Sequence, residues 1–161
     1  MKLYHGSWEM VTKPEIREPN RTLDYGNGFY TTSSYDQALA WVKRKMEEQK
    51  TDKGFVNTYE LDELALKDLK CLYFDSPSED WVDFVMKNRT QRGYIHDYDI
   101  VYGPVANDRV YAAFALYEGG ILDKQSLITE LKTYKLVDQY LFHTNKALEA
   151  LAFVEGKEVL K

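Results

Sequence analysis

The chain has 161 residues, 44% of them hydrophobic and 29% charged, with a formal net charge of -5. That length suits one core, taken here as a single domain over residues 1–161, and the balance excludes the hydrophobe-poor, charge-rich composition of disordered chains. The acidic charge argues against a broad phosphate-binding surface while leaving a local basic groove open. The single Cys71 excludes an internal disulfide. No run reaches the roughly 18 apolar residues of a membrane helix, and Met1 to His5 lacks a signal peptide's apolar region. The expectation is a cytoplasmic protein without a membrane partner, with export by a route not visible in the sequence left open.

In chain order, Lys2 to His5 reads as a short strand, and Thr12 to Asp24, with two prolines, as a loop. Gly28-Phe29-Tyr30-Thr31-Thr32, aromatic and β-branched after a flexible turn, reads as a second strand. From Asp36, Leu39, Val42 and Met46 recur at helical spacing, and the charged stretch to Lys53 carries the chain to Gly54. Phe55, Tyr59 and Leu61 share one side of a strand, and Cys71 to Phe74 forms another, with Cys71 as a small buried hydrophobe. Ser76-Pro77-Ser78-Glu79 matches a capping box with proline at the first helical position, ahead of Trp81, Phe84 and Val85.

Asp99 to Gly103 reads as a buried strand closed by Pro104, followed by helices over Arg109 to Glu118 and Asp123 to Leu131. Gln139 to His143 is a strand, Asn145 to Leu151 a short helix, and Phe153 to Leu160 a last strand. The mixed order favours α+β. Gly26-Asn27-Gly28 leads into a strand instead of opening a helix, which argues against a dinucleotide-binding parallel sheet. Three scattered histidines and a distant cysteine show no zinc spacing, so no metal is expected. Neither a nucleophile elbow nor a phosphate loop occurs. Lys43, Arg44, Lys45, Arg89 and Arg92 would supply a basic track for nucleic acid only if they cluster.

Three separated segments carry more together than apart: Leu3-Tyr4-His5-Gly6-Ser7, Gly26 to Thr32, and Gln139-Tyr140-Leu141-Phe142-His143-Thr144. With Asp99 to Asp108 as a central motif, they resemble the His, Tyr and Glu motifs of the ADP-ribosyltransferase superfamily, most closely its bacterial DUF3990 family, over nearly the whole chain. The resemblance implies two small, mostly antiparallel sheets around an NAD cleft with flanking helices. It also implies a mono-ADP-ribosyltransferase that uses NAD as substrate, releases nicotinamide and transfers ADP-ribose to a macromolecular acceptor.

By the same resemblance His5, Tyr30 and Gln139 are the catalytic set, and His5, Gly6, Ser7, Gly28, Tyr30, Thr31 and Thr32 hold NAD. His5 would bond a ribose hydroxyl, the Gly6 backbone would approach the nicotinamide carboxamide, and the Tyr30 ring would stack on the cationic ring. Gln139 stands where many transferases carry glutamate. An amide orients a hydroxyl but lacks the charge and basicity of a carboxylate, so general-base catalysis by Gln139 is not expected, and an already nucleophilic acceptor is. Asp138 should point to the opposite strand face. The loop Thr133 to Asp138 would help select the protein or nucleic-acid acceptor, with Tyr134 available to stack on it. Relatives of this type look like toxins or effectors, which would bring an antitoxin or regulatory partner. The rival readings are a noncatalytic nucleotide- or protein-binding module on the same fold, and an ADP-ribosyltransferase acting on RNA or DNA.

Overall fold

Alternating apolar residues and well-placed caps build the elements in the expected order. The computed structural model describes residues 1–17, 23–91, 93–106 and 108–161, without the Asp108 side chain. Arg92, Asn107, the Asp108 carboxylate and the 18–22 stretch of the expected loop lie outside the described residues. Strand β1 (Lys2–Ser7) is followed by β2 (Phe29–Thr31), α1 (Tyr35–Gln49), β3 (Lys53–Leu61), a 3-10 turn (Glu63–Asp68), β4 (Cys71–Tyr73) and α2 (Glu79–Thr90). Then come β5 (Ile100–Pro104), α3 (Asp108–Glu118), α4 (Lys124–Lys132), β6 (Asp138–Phe142), α5 (Asn145–Leu148) and β7 (Leu151–Leu160).

The fold is α+β with two small open sheets. One has the order β1-β3-β7 and is antiparallel throughout; the other has the order β2-β6-β5-β4 and is antiparallel except at β4–β5. Among the described residues a single isolated bridge, Tyr4 to Thr32, joins β1 of the first to the end of β2 of the second. Its two main-chain bonds are 2.8 and 2.9 Å long.

Three buried clusters hold these layers. Ala38, Val42 and Met46 of α1 pack on Val56 of β3. Leu3, Tyr59 and Leu61 of the first sheet meet Phe29, Ile100 and Phe142 on one face of the second. The opposite face of that sheet, through Val101 and Leu141, packs on Tyr25 and on α2, α3 and α4 through Trp81, Val85, Phe114 and Leu127. Adjacent residues of β2 therefore enter different clusters, as strand alternation requires. Among the described residues no helix is long and apolar enough to cross a membrane.

Two local expectations change. The α2 cap is Ser78, whose hydroxyl accepts from Trp81 N, and not Ser76; Pro77 precedes the helix. Only from Ser78 does the side chain meet a first-turn amide three residues on, as a cap must. Cys71 is half-buried, its thiol near the Leu66 carbonyl, because β4 is an edge strand. Helix α1 ends on Lys50 in the left-handed conformation, while Gly54 lies inside β3, where a side chain would collide with Val42 and Met46.

Candidate functional site

Antiparallel strands alternate between residues whose main-chain groups face one neighbour and residues whose groups face the other. In β1, Leu3 and His5 bond toward β3, so Tyr4 and Gly6 turn their N–H and C=O toward β2. Tyr4 uses both on Thr32. The next rung of that ladder would join Gly6 to Tyr30. Instead His5 Nδ1 takes the Tyr30 carbonyl at 2.7 Å, and the strands part. By the same alternation the Gly6 amide and carbonyl face this split beyond the bridge.

The split is bracketed from two sides. The His5 ring lies on the Phe29 side of β2, stacked on Phe29 with centroids 4.2 Å apart. The Tyr30 side chain lies on the other side, against the Tyr25, Val101 and Leu141 cluster. The structure thus brings His5 to the main chain of Tyr30 but puts the two rings on opposite faces of β2. Gln139 shares the Tyr30 face, since Tyr30 pairs with Leu141 two residues further along β6. Asp138 turns away, as expected, and its carboxylate accepts from Ser33 N at 2.9 Å and from the Ser33 hydroxyl.

Protonation of His5 is fixed by burial. Desolvation lowers its pKa from 6.5 to about 4, against the opposing bond to Tyr30, so the ring is neutral near pH 7. A neutral ring that donates from Nδ1 carries a lone pair on Nε2, an acceptor suited to a hydroxyl. The linkage to stability has a definite sign. Above pH 6.5 neither folded nor unfolded chain holds the proton; between 6.5 and about 4 only the unfolded chain takes it up. Stability should fall through that window by up to about 3 kcal/mol. Burial lowers the buried His96 in the same direction. Urea unfolding at pH 7 and pH 4.5 should show the loss, and His5→Gln should shrink it; an undiminished loss in that variant would assign the effect elsewhere.

Tyr30 and Gln139 are held by the chain itself. The Tyr30 hydroxyl donates to the Gly26 carbonyl at 2.6 Å and accepts from Tyr25 N at 3.1 Å, so the hydroxyl is committed to the chain, and the ring is half-buried. Gln139 is buried, with Nε2 3.5 Å from the Pro104 carbonyl. Beside it stands Tyr25, which sequence reasoning passed over. Its hydroxyl donates to that same carbonyl at 2.8 Å and receives Trp81 Nε1 at 2.7 Å. Burial pushes this phenol far up, while its bonds to Trp81 and Gln139 pull the other way. The arrangement explains an amide at 139: a carboxylate would set two oxygens near the Pro104 carbonyl.

The remaining expected site residues also make contacts within the chain. Thr31 and Thr32 hydroxyls donate to the Tyr140 and Asp138 carbonyls of β6, at 3.1 and 2.8 Å. The Ser7 hydroxyl accepts from Glu9 N. Gly6 gives way to α1, and Gly28 to β6, where a side chain would strike the Phe142 carbonyl. Tyr134 has its ring covered by the Arg109 guanidinium at 4.0 Å and its hydroxyl on Glu130, so a target would displace Arg109 to stack there. Of the expected basic track, Arg89 pairs with Asp24 and Lys45 with Glu48. His96 and His143 lie with ring centroids 4.1 Å apart, tilted by 38°, and bond the Tyr25 and Asn27 carbonyls, which secures the turn before β2. A cavity of about 350 Å³ lies beside Lys43 and Leu160, and one of about 100 Å³ is lined by Gly26, Asn27, Asn88, His96 and His143, next to the carbonyl that holds the Tyr30 hydroxyl; neither is lined by His5, Tyr30 or Gln139.

A family model described as a protein of unknown function, DUF3990, matches residues 1–153. No curated protein and no solved structure matches the chain.

Proposed function

The chain belongs to the DUF3990 family, and from that premise and the β1–β2 split we propose an ADP-ribosyltransferase-like protein that takes NAD by its nicotinamide end. The observation that carries this reading is Gly6, whose own N–H and C=O both turn toward the split by the register of β1. A primary carboxamide presents the complementary acceptor and donor, so nicotinamide would add a short rung where β1 and β2 part. The neutral His5 ring would accept a ribose hydroxyl at Nε2, and the Tyr30 ring would face the pyridinium from the other side.

In the transfer itself, the bond between the ribose carbon and the nicotinamide nitrogen breaks and nicotinamide leaves with the electron pair. The acceptor's lone pair bonds to that carbon and its proton passes to solvent. Gln139 supplies orientation without basicity, so the acceptor brings its own nucleophile.

Calorimetry with NAD and with its nicotinic acid analogue tests the carboxamide pairing. A carboxylate cannot donate to the Gly6 carbonyl, so the analogue should bind at least about tenfold more weakly, the value of one or two hydrogen bonds. Tyr30→Ala should lower NAD affinity and stop nicotinamide release while the chain stays folded. Equal affinity for the two dinucleotides, or no NAD binding, would overturn the proposal.

A further inference from the structure

The face of the four-stranded sheet that carries Phe29 and Phe142 is not uniform. Toward the other end of its strands, Tyr73, Tyr102 and Tyr140 stand on one register line across β4, β5 and β6. Their ring centroids are 6.0 and 4.5 Å apart in sequence along the row. At the usual strand spacing of about 4.8 Å the row spans roughly 10 Å. Tyr73 is 52% exposed, and Tyr102 and Tyr140 are half-buried.

Carboxylates reach these rings, and the N-terminal residue closes one end of the row: the Tyr140 hydroxyl donates to Met1 Sδ at 3.6 Å, and Glu63 lies 3.7 Å from the Met1 ammonium. Burial raises the Tyr102 hydroxyl first, and the Asp138 and Asp75 carboxylates add to it. Tyr140 is raised in the same way, with Asp138 and Glu63 among the causes. Asp75 is exposed beside the row, whereas Asp138 is already held by Ser33. β4 is an edge strand, so an extended chain lying beside Tyr73 would also meet main-chain groups.

We propose that this tyrosine row is a docking surface for an arginine-containing, cationic peptide segment of a partner protein. Ring faces attract cations, and a planar guanidinium both stacks on tyrosine and forks onto a carboxylate, which an ammonium does not. The same rings would stack nucleic-acid bases, but the surrounding carboxylates repel phosphates. The proposal stands apart from the split and does not use the NAD reading.

Fluorescence anisotropy of the full chain with a labelled hexa-arginine peptide, and separately with labelled oligothymidine, tests it at physiological salt. Tyr73→Ser and Asp75→Asn should each weaken peptide binding about fivefold, the scale of one cation–π or exposed ionic contact. Glu155→Gln, an equally exposed acid on β7, should leave it within about twofold. Thermal unfolding of each variant checks that the chain is intact. The proposal is overturned if the peptide does not bind, if Tyr73→Ser has no effect, if Glu155→Gln weakens binding as much as Asp75→Asn, or if oligothymidine binds more tightly than the peptide.

Discussion

Replacing Gly6 by alanine is expected to cost about 3 kcal/mol or more, at the upper end for forcing a methyl group into packed structure. For a chain of this size that lowers the melting temperature by roughly 10 °C. A Cβ at Gly6 would strike the Ala38 carbonyl and lie 2.9 Å from Val42 N and 3.0 Å from Val42 Cγ2. Two of those three atoms are backbone of α1, which Ala38 and Val42 already pack against Val56. The methyl group can be accommodated only if the helix lifts from the sheet. Gly120→Ala is the natural comparison: its backbone is left-handed, with φ 79°, but nothing lies within 4 Å of the added carbon. That change should cost only about 1 kcal/mol of backbone strain. Urea unfolding of both variants measures the difference, and equal losses would show that α1 does not press on β1. The same glycine offers its peptide to the split, so weaker NAD binding in Gly6→Ala would not separate packing from recognition. The nicotinic acid analogue, which leaves the protein untouched, does.

The order of elements was readable because strand alternation and helical spacing are local. So was the separation of Phe29 from Tyr30, since neighbours on a strand face opposite ways. Which cluster each would join depended on β6, more than 100 residues further on, and no local pattern encodes that pairing. Thr31 and Thr32 illustrate the difficulty. Beside an aromatic residue their hydroxyls suit a ribose, yet β6 carbonyls take both. Glycine was equally ambiguous: at position 6 the missing side chain reads as room for a ligand, and the structure puts a helix there. Ser76 heads the capping pattern by composition, yet it is the Ser78 hydroxyl, two residues on, that meets a first-turn amide, that of Trp81. Tyr25 left no signal at all, being one of 13 tyrosines in a turn of ordinary composition.

That tyrosine has the second large expected effect. Tyr25→Phe keeps the ring and deletes one oxygen, which is bonded to Trp81 Nε1 and the Pro104 carbonyl and lies beside Gln139. Tyr25 and Trp81 are fully buried, so water does not readily replace it. An orphaned buried donor costs about 1–3 kcal/mol; Trp81 Nε1 is left so, while the Pro104 carbonyl keeps Gln139 Nε2, so a loss of about 2 kcal/mol is expected from urea unfolding. Gly103→Ala attacks the same contact from the opposite side, because its added carbon would strike the Tyr25 hydroxyl. If the hydroxyl is the shared element, Gly103→Ala should cost clearly less in the Tyr25→Phe background than in the wild type, a non-additivity that a double-mutant cycle reads directly. Additive losses would mean that Gly103 answers to Phe74, whose Cβ lies 3.2 Å from the added carbon, and that Tyr25 supports Gln139 by ring packing alone.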